Sequence, residues 1–230
     1  MKKTLAAAFA VTAIASAANA DLVAYWNNNS NALPVSGFGY TSTAFPQAAD
    51  LGSGSMTIGG GIMSETIGNA NGTEVYTWAQ SFGGSTLNAL NGDAAGGSFS
   101  IQGGTENGNN GAYLQFQLDM SGFTGLDISY ATRGTSTGFS SQIWSWSTDG
   151  VNFTTFETFT GTNVTTFSVK TLATLSALDG AATAFLRVTF DGATSSTGNN
   201  RLDNIQFNAI PAPGAIALLG LAGLAARRRR

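Results

Sequence analysis

Apolar and polar residues alternate with a period of two through much of the chain, which is the signature of half-buried strands. In "AYLQFQLDM" (112–120), Leu114, Phe116, Leu118 and Met120 fall on one face, and Tyr113, Gln115, Gln117 and Asp119 on the other. "LDISYATR" (126–133) alternates through Leu126, Ile128 and Tyr130, and "TFSVK" (166–170) through Phe167 and Val169. "AFLRVTFDG" (184–192) sets Leu186, Val188 and Phe190 against Phe185, Arg187 and Thr189, and "NRLDNIQFNA" (200–209) supplies a last strand. "SQIWSWSTDGVNFTTFETF" (141–159) predicts a hairpin turning at Asp149-Gly150, with Trp144 and Trp146 on one face and Val151 and Phe153 on the return strand. Gly, Asn and Asp clusters such as Asn107–Gly111, Asp179-Gly180 and Gly198–Asn200 separate the runs. Short strands at this spacing predict an all-β chain folded as an antiparallel β-sandwich. "TLATLSALDG" (171–180) is the best helix candidate, as one short turn or as a crossing between strands. Residues 21–95 are less regular and are expected to hold the first strands and loops of the same domain.

Both ends break the alternation. "MKKTLAAAFAVTAIASAANA" has a basic start, an apolar run and a closing Ala18-Asn19-Ala20, the layout of a secretory signal peptide, a short helix cleaved after Ala20. The other end reads "IPAPGAIALLGLAGLAARRRR" (210–230). Its 13 residues from Gly214 to Ala226 are all apolar or Gly. As a helix they reach about 20 Å, which is marginal for a bilayer span. Arg227, Arg228, Arg229 and Arg230 would hold the cytoplasmic side. A weakly apolar helix of this length suits a transient hold in the inner membrane; an ordinary single-pass anchor is the competing reading.

This tail resembles the PEP-CTERM sorting signal of bacterial envelope proteins. Pro211, Ala212, Pro213 and Gly214 stand in the place of the Pro-Glu-Pro-type motif, with Ala212 where the family has Glu. The resemblance implies an exosortase-like membrane transpeptidase as partner, cleavage near the motif, and delivery to the cell surface or extracellular matrix. The expected organisation is a signal peptide (1–20), a sandwich ectodomain (21–208) and a sorting signal (209–230) with its transmembrane helix at 214–226. The pieces "LVAYWNNN", "FPQAADLGSGSMTI", "GFTGLDISYATRGTSTGFSSQIWSWSTDGVNF" and "GNNRLDNIQF" also resemble a jelly-roll ectodomain carried by such proteins. That likeness implies a lectin- or galactose-binding-like sandwich.

Composition narrows the chemistry. Six of the ten basic residues lie in the two ends, leaving Arg133, Lys170, Arg187 and Arg201 against thirteen acids in 21–208, a net charge of −9. Such a surface repels phosphate backbones and excludes nucleic acid as a partner. The chain has no Cys and no His. Disulfides, thiolate or imidazole zinc sites, Ser-His-Asp triads and Cys nucleophiles are therefore excluded, and the fold must rest on its core alone.

Three constellations remain. Trp144, Trp146 and Tyr130 form a candidate platform for stacking sugar rings, against the alternative of core packing. Asp203 and Asn204, near Arg201, are candidate oxygen ligands for a structural Ca²⁺, against an Arg–Asp pair closing one end of the sandwich. Glu65, Glu74, Glu106 and Glu157 raise glycoside hydrolysis, which needs two carboxyls facing each other across a cleft; their spacing shows no such pair. The sequence thus favours a non-enzymatic surface or matrix protein with a structural or adhesive role. A carbohydrate-binding module that grips extracellular polysaccharide is the first alternative, and a secreted glycoside hydrolase the second.

Overall fold

Inward-facing Leu114, Phe116 and Leu118 are buried and outward-facing Gln117 is exposed, as the alternation predicts, and the same rule builds most of the molecule. A computed structural model of the chain describes residues 19–29, 39–68 and 72–212. The signal segment through Ala18, the segment 213–226 and Arg227–Arg230 lie outside the described residues. No helix among the described residues is long and apolar enough to cross a membrane.

The strands are β1 (Asp21–Trp26), β2 (Gly39–Thr41), β3 (Gln47–Ala48), β4 (Leu51–Gly52) and β5 (Ser55–Gly59). There follow β6 (Thr66–Gly68), β7 (Glu74–Gly83), β8 (Gly97–Gln102), β9 (Tyr113–Leu118) and β10 (Phe123–Gly134). The last five are β11 (Ser141–Ser147), β12 (Thr154–Thr160), β13 (Ser168–Thr171), β14 (Ala184–Asp191) and β15 (Asn199–Pro211). They form two sheets, and every strand pairing among the described residues is antiparallel. The nine-stranded sheet runs β13-β10-β15-β8-β7-β2, with β1 also on β15, β4 on β1 and β6 on β7. The six-stranded sheet runs β12-β11-β14-β9-β5-β3. The irregular region 21–95 contributes strands to both sheets.

Aromatic side chains knit the two inner faces together. Phe116 of the six-stranded sheet packs against Trp26 (5.2 Å between ring centroids) and Phe207 (5.0 Å) of the nine-stranded sheet. Phe116 also stacks on Trp144 at 6.1 Å, and Trp144 meets Tyr130 across the sandwich at 5.4 Å. A polar chain threads this core. Trp144 Nε1 donates to Tyr130 Oη (3.1 Å), Tyr130 Oη to Gln142 Oε1 (2.7 Å), Gln142 Nε2 to Thr132 Oγ1 (3.0 Å) and Thr132 Oγ1 to the Arg201 carbonyl (2.8 Å). Every link donates one way, so each buried polar group in the chain is satisfied.

Two expectations change and two open points are settled. The 141–159 hairpin forms, but its return strand starts at Thr154, leaving Val151 exposed and Phe153 in the loop. Asp149 widens this turn: its carboxylate accepts from the backbone N–H groups of Val151 and Asn152 and from Asn152 Nδ2. Val169 of β13 faces solvent, because β13 is an edge strand whose alternation is reversed relative to the core. Residues 172–180 cross between strands without a helix, held by a bridge between Leu126 and Leu175. Finally, the domain does not stop at 208. β15 runs on to Pro211, which pairs with Phe123, and Ala209 is fully buried.

The polar chain generates a prediction. Tyr130→Phe keeps the ring but strands Gln142 and Trp144 without their partner, and should cost about 1–3 kcal/mol in urea unfolding. Trp144→Ala should cost about 3–5 kcal/mol by adding a cavity. Equal stabilities for wild type and Tyr130→Phe would show that the chain contributes nothing.

Candidate functional site

The described part of the sorting motif is short. Pro211 closes β15, and the Ala212 N–H donates to the Gly122 carbonyl at 2.7 Å. Pro213 and Gly214 lie outside the described residues. Ala20 is exposed just before β1, and Ala18 lies outside them.

Of the two readings of Trp144, Trp146 and Tyr130, the structure has core packing and no sugar-stacking platform. Trp144 and Tyr130 have no exposed surface, and Trp146 is half-buried against the core. The reason is parity. Trp144 and Trp146 share a face with Gln142, and that face is the inner one, opposite Val188 and Leu186 of β14. Burial also pushes the Tyr130 hydroxyl well above its ordinary range.

Asp203 and Asn204 sit where β15 changes partner. β15 pairs with β8 through Leu202 and with β1 from Ile205 onward, while β10 follows its other edge throughout. Asn204 takes φ 49°, a conformation Asn tolerates, and a bulge falls there. Its Oδ1 accepts from Tyr25 Oη (2.7 Å), and its Nδ2 donates to the carbonyls of Ser85 (2.7 Å) and Leu87 (2.9 Å). Asn88 Nδ2 donates to the Asn204 carbonyl at 2.7 Å. Asp203 accepts from the Ser85 N–H (2.6 Å) and the Asn204 N–H (2.9 Å). These oxygens latch the loop after β7 onto the sheet and do not converge on a cation. Among the described residues no group of three or more Asp or Glu is placed to hold a metal. Nor is Asp203 paired with Arg201, whose Nη1 turns to the Gly83 carbonyl at 3.1 Å. Burial raises the Tyr25 hydroxyl to about 12, against the Leu90 N–H that donates to it and with Asp93 adding to the rise.

The glutamates are dispersed. Glu65 accepts from Trp78 Nε1 at 2.7 Å, Glu74 opens β7, Glu106 lies in a short 3₁₀ turn and Glu157 is on edge strand β12. They occupy four separate elements.

A different cluster occupies the outer face of the six-stranded sheet. Arg187 of β14 lies between the rings of Tyr113 and Phe153, with Cζ 3.8 Å from each centroid. Its Nη2 donates to Gln115 Oε1 at 2.7 Å. Burial lowers its pKa, and among the described residues no carboxylate pairs with it. Two local devices build the cluster. A Cβ at Gly59 would stand 2.5 Å from the Tyr113 hydroxyl, so only glycine lets that ring lie down on β5. Asp149 fixes the loop that carries Phe153. Its hydrogen bonds from Asn152, Val151 and Ser147 hold its carboxyl well below the usual range. The alternation of "AFLRVTFDG" and "AYLQFQLDM" already placed Arg187, Tyr113 and Gln115 on outward faces. Phe153 was hidden because the turn was read too short.

No family model and no curated protein matches the chain. Among solved structures it is similar to the CBM22-1 xylan-binding domain from Paenibacillus barcinonensis Xyn10C (10% identity, TM-score 0.44, 86% of this chain and 99% of that one). It is also similar to carbohydrate-binding module CBM36 in complex with calcium and xylotriose (16%, TM-score 0.35, 66% and 96%). The arabinose-bound MgGH51 α-L-arabinofuranosidase matches over 82% of this chain but only 27% of its own (14%, TM-score 0.43). Identities and TM-scores this low assign no ligand to the chain.

The buried carboxyl yields a prediction. Burial raises Asp203 to about 7 from an ordinary 3.8, against its two backbone donors. A raised carboxyl favours the folded state most below its ordinary value, and that contribution is lost as pH climbs to about 7. Asp149 and Asp119 are shifted downward, so their contributions vanish only below the ordinary carboxylate range. The Tm of Asp203→Asn minus that of wild type should therefore rise by several degrees between about pH 4 and 7 and then level off. A difference independent of pH would refute a buried, raised carboxyl.

Proposed function

We propose that this chain is an exported surface or matrix protein whose sandwich binds glycan on the outer face of the six-stranded sheet. One observation carries the reading: Arg187 is held flat between Tyr113 and Phe153, bonded to Gln115, with no acid to neutralise it. Sugar recognition combines apolar C–H faces with ring hydroxyls in fixed directions. Aromatic rings meet the first, and planar amide and guanidinium groups meet the second. Half-exposed Tyr113, Phe153 and Phe185 supply the rings on this face, and Arg187 and Gln115 the planar donors and acceptors. The adhesive role is this grip on polysaccharide, without chemistry on it.

Export and sorting complete the proposal. They are supported by the layout of 1–20 and by the tail that follows β15. The sandwich ends at Pro211, so a cut after the motif would leave its last strand whole.

Two measurements test these parts separately. On a glycan array the full-length protein should retain a neutral polysaccharide, and Arg187→Gln, Tyr113→Ala and Phe153→Ala should each weaken that binding about tenfold or more. Undiminished binding by all three would move the site elsewhere, and no glycan bound would end the reading. For sorting, the intact mass of the surface protein from its native host should lack Met1–Ala20 and Arg227–Arg230. A mass that includes Arg230 would leave a plain anchor.

A further inference from the structure

Two of the four basic residues in 21–208 stand directly opposite each other on the nine-stranded sheet. The register of β10 and β15 pairs Arg133 with Arg201. Like charges at such a position destabilise a sheet, and this surface has acids to spare. Yet neither arginine is paired with one among the described residues. Arg201 Nη1 donates to the Gly83 carbonyl, and its Nε makes a long contact to Asn199 Oδ1 (3.4 Å). Arg133 Nε is buried with no hydrogen-bond partner. Asp203, two residues along β15, is turned away to the Ser85 and Asn204 N–H groups.

The neighbours on this face leave the same kind of vacancy in hydrogen bonding. Ser100 of β8 is the cross-strand partner of Arg201 on its other side. It is fully buried, and its Oγ also lacks a partner. Each guanidinium is steadied by a ring, Arg201 by Phe82 at 4.8 Å and Arg133 by Phe167 at 5.8 Å. Burial, and secondarily the Arg133 charge, lowers the pKa of Arg201, so the two cations do sense each other.

We infer that Arg133, Arg201 and Ser100 form a second binding site, for the carboxylate or sulfate groups of an acidic polysaccharide. An oxyanion lying over the pair converts their repulsion into two attractions and supplies an acceptor for Arg133 Nε and the Ser100 hydroxyl. Guanidinium suits such oxyanions, which accept several hydrogen bonds at once, better than ammonium does. The net charge of −9 opposes the approach of free polyanions, so the site selects by short-range contact and not by steering. The oxyanion chemistry stands on this face alone; only the choice of polysaccharide as its carrier rests on the export reading above.

The test is retention of full-length protein on immobilised dextran sulfate and on polygalacturonate, with neutral dextran and duplex DNA as comparisons. Wild type should be retained on at least one acidic polysaccharide, and the tighter of the two identifies sulfate or carboxylate as the preferred group. Arg133→Gln and Arg201→Gln should each weaken retention about tenfold or more, while Lys170→Gln leaves it unchanged. Ser100→Ala, which removes one hydroxyl oxygen, should weaken it about threefold with Tm preserved. Arg133→Gln should also raise the Tm of the free protein, by relieving the repulsion, and abolish the Tm increase that the acidic polymer gives wild type. Retention on neither acidic polymer, retention on DNA alone, or undiminished retention of Ser100→Ala together with either arginine variant would overturn the inference. Because Arg187→Gln is scored separately on neutral glycan, the two sites fail or stand independently.

Discussion

The structure depends on how β15 divides its edges. One edge follows β10 along nearly its whole length. The other must serve β8 first and β1 afterwards, and no strand can do that without a break. The break falls at Asp203-Asn204, where the backbone leaves the β region and local ladder bonds are lost. Those bonds are replaced from the side. The Asn204 amide and the Asp203 carboxylate bind the backbone of residues 85–88, and Tyr25 and Asn88 close the ring. A pair that reads as cation ligands in the sequence is thereby committed to holding a loop in place. Both carboxylate oxygens of Asp203 and both polar atoms of the Asn204 side chain already have protein partners.

The same economy explains why the tryptophans are unavailable to ligand. Without cysteine, the sheets are joined by packing and a few buried hydrogen bonds, and the largest side chains do most of the packing. Trp144 is anchored to Tyr130 of the opposite sheet, so its indole N–H is satisfied without water. Exposing it would leave a donor and a cavity together. Polar side chains are left to the outer faces, where the polar positions of the alternation point by construction.

Much of this was legible. Period-2 runs from 112 onward gave both the strands and their buried faces, because each strand packs one side on a single core. What failed was local. The hairpin at Asp149-Gly150 matched a two-residue turn, but a carboxylate accepting from two backbone N–H groups and a side-chain amide stabilises a wider loop, and spacing cannot show that. Val169 falls on the expected alternation, yet it faces outward, since period fixes which residues share a face and not which face is buried. Trp144 and Trp146 were correctly placed together, and of the two readings open for them, platform or core packing, the structure has core packing. The Arg187 cluster needed a contact between β14, β9 and a loop, which lies far apart in sequence.

Each of the four cations of 21–208 lies against an aromatic ring, and the three arginines carry that arrangement onto the two outer faces. Lys170 lies over Phe159, Arg133 over Phe167, Arg201 over Phe82, and Arg187 between Tyr113 and Phe153. Such contacts occur roughly once per 70–80 residues in proteins at large, so this chain concentrates them. Thirteen acids offer ready ion-pair partners, and a surface guanidinium would ordinarily find one. An aromatic seat does something an acid cannot: it orients the cation and shields part of it from water while leaving its charge intact. Each ring therefore fixes the direction of its cation without cancelling the charge.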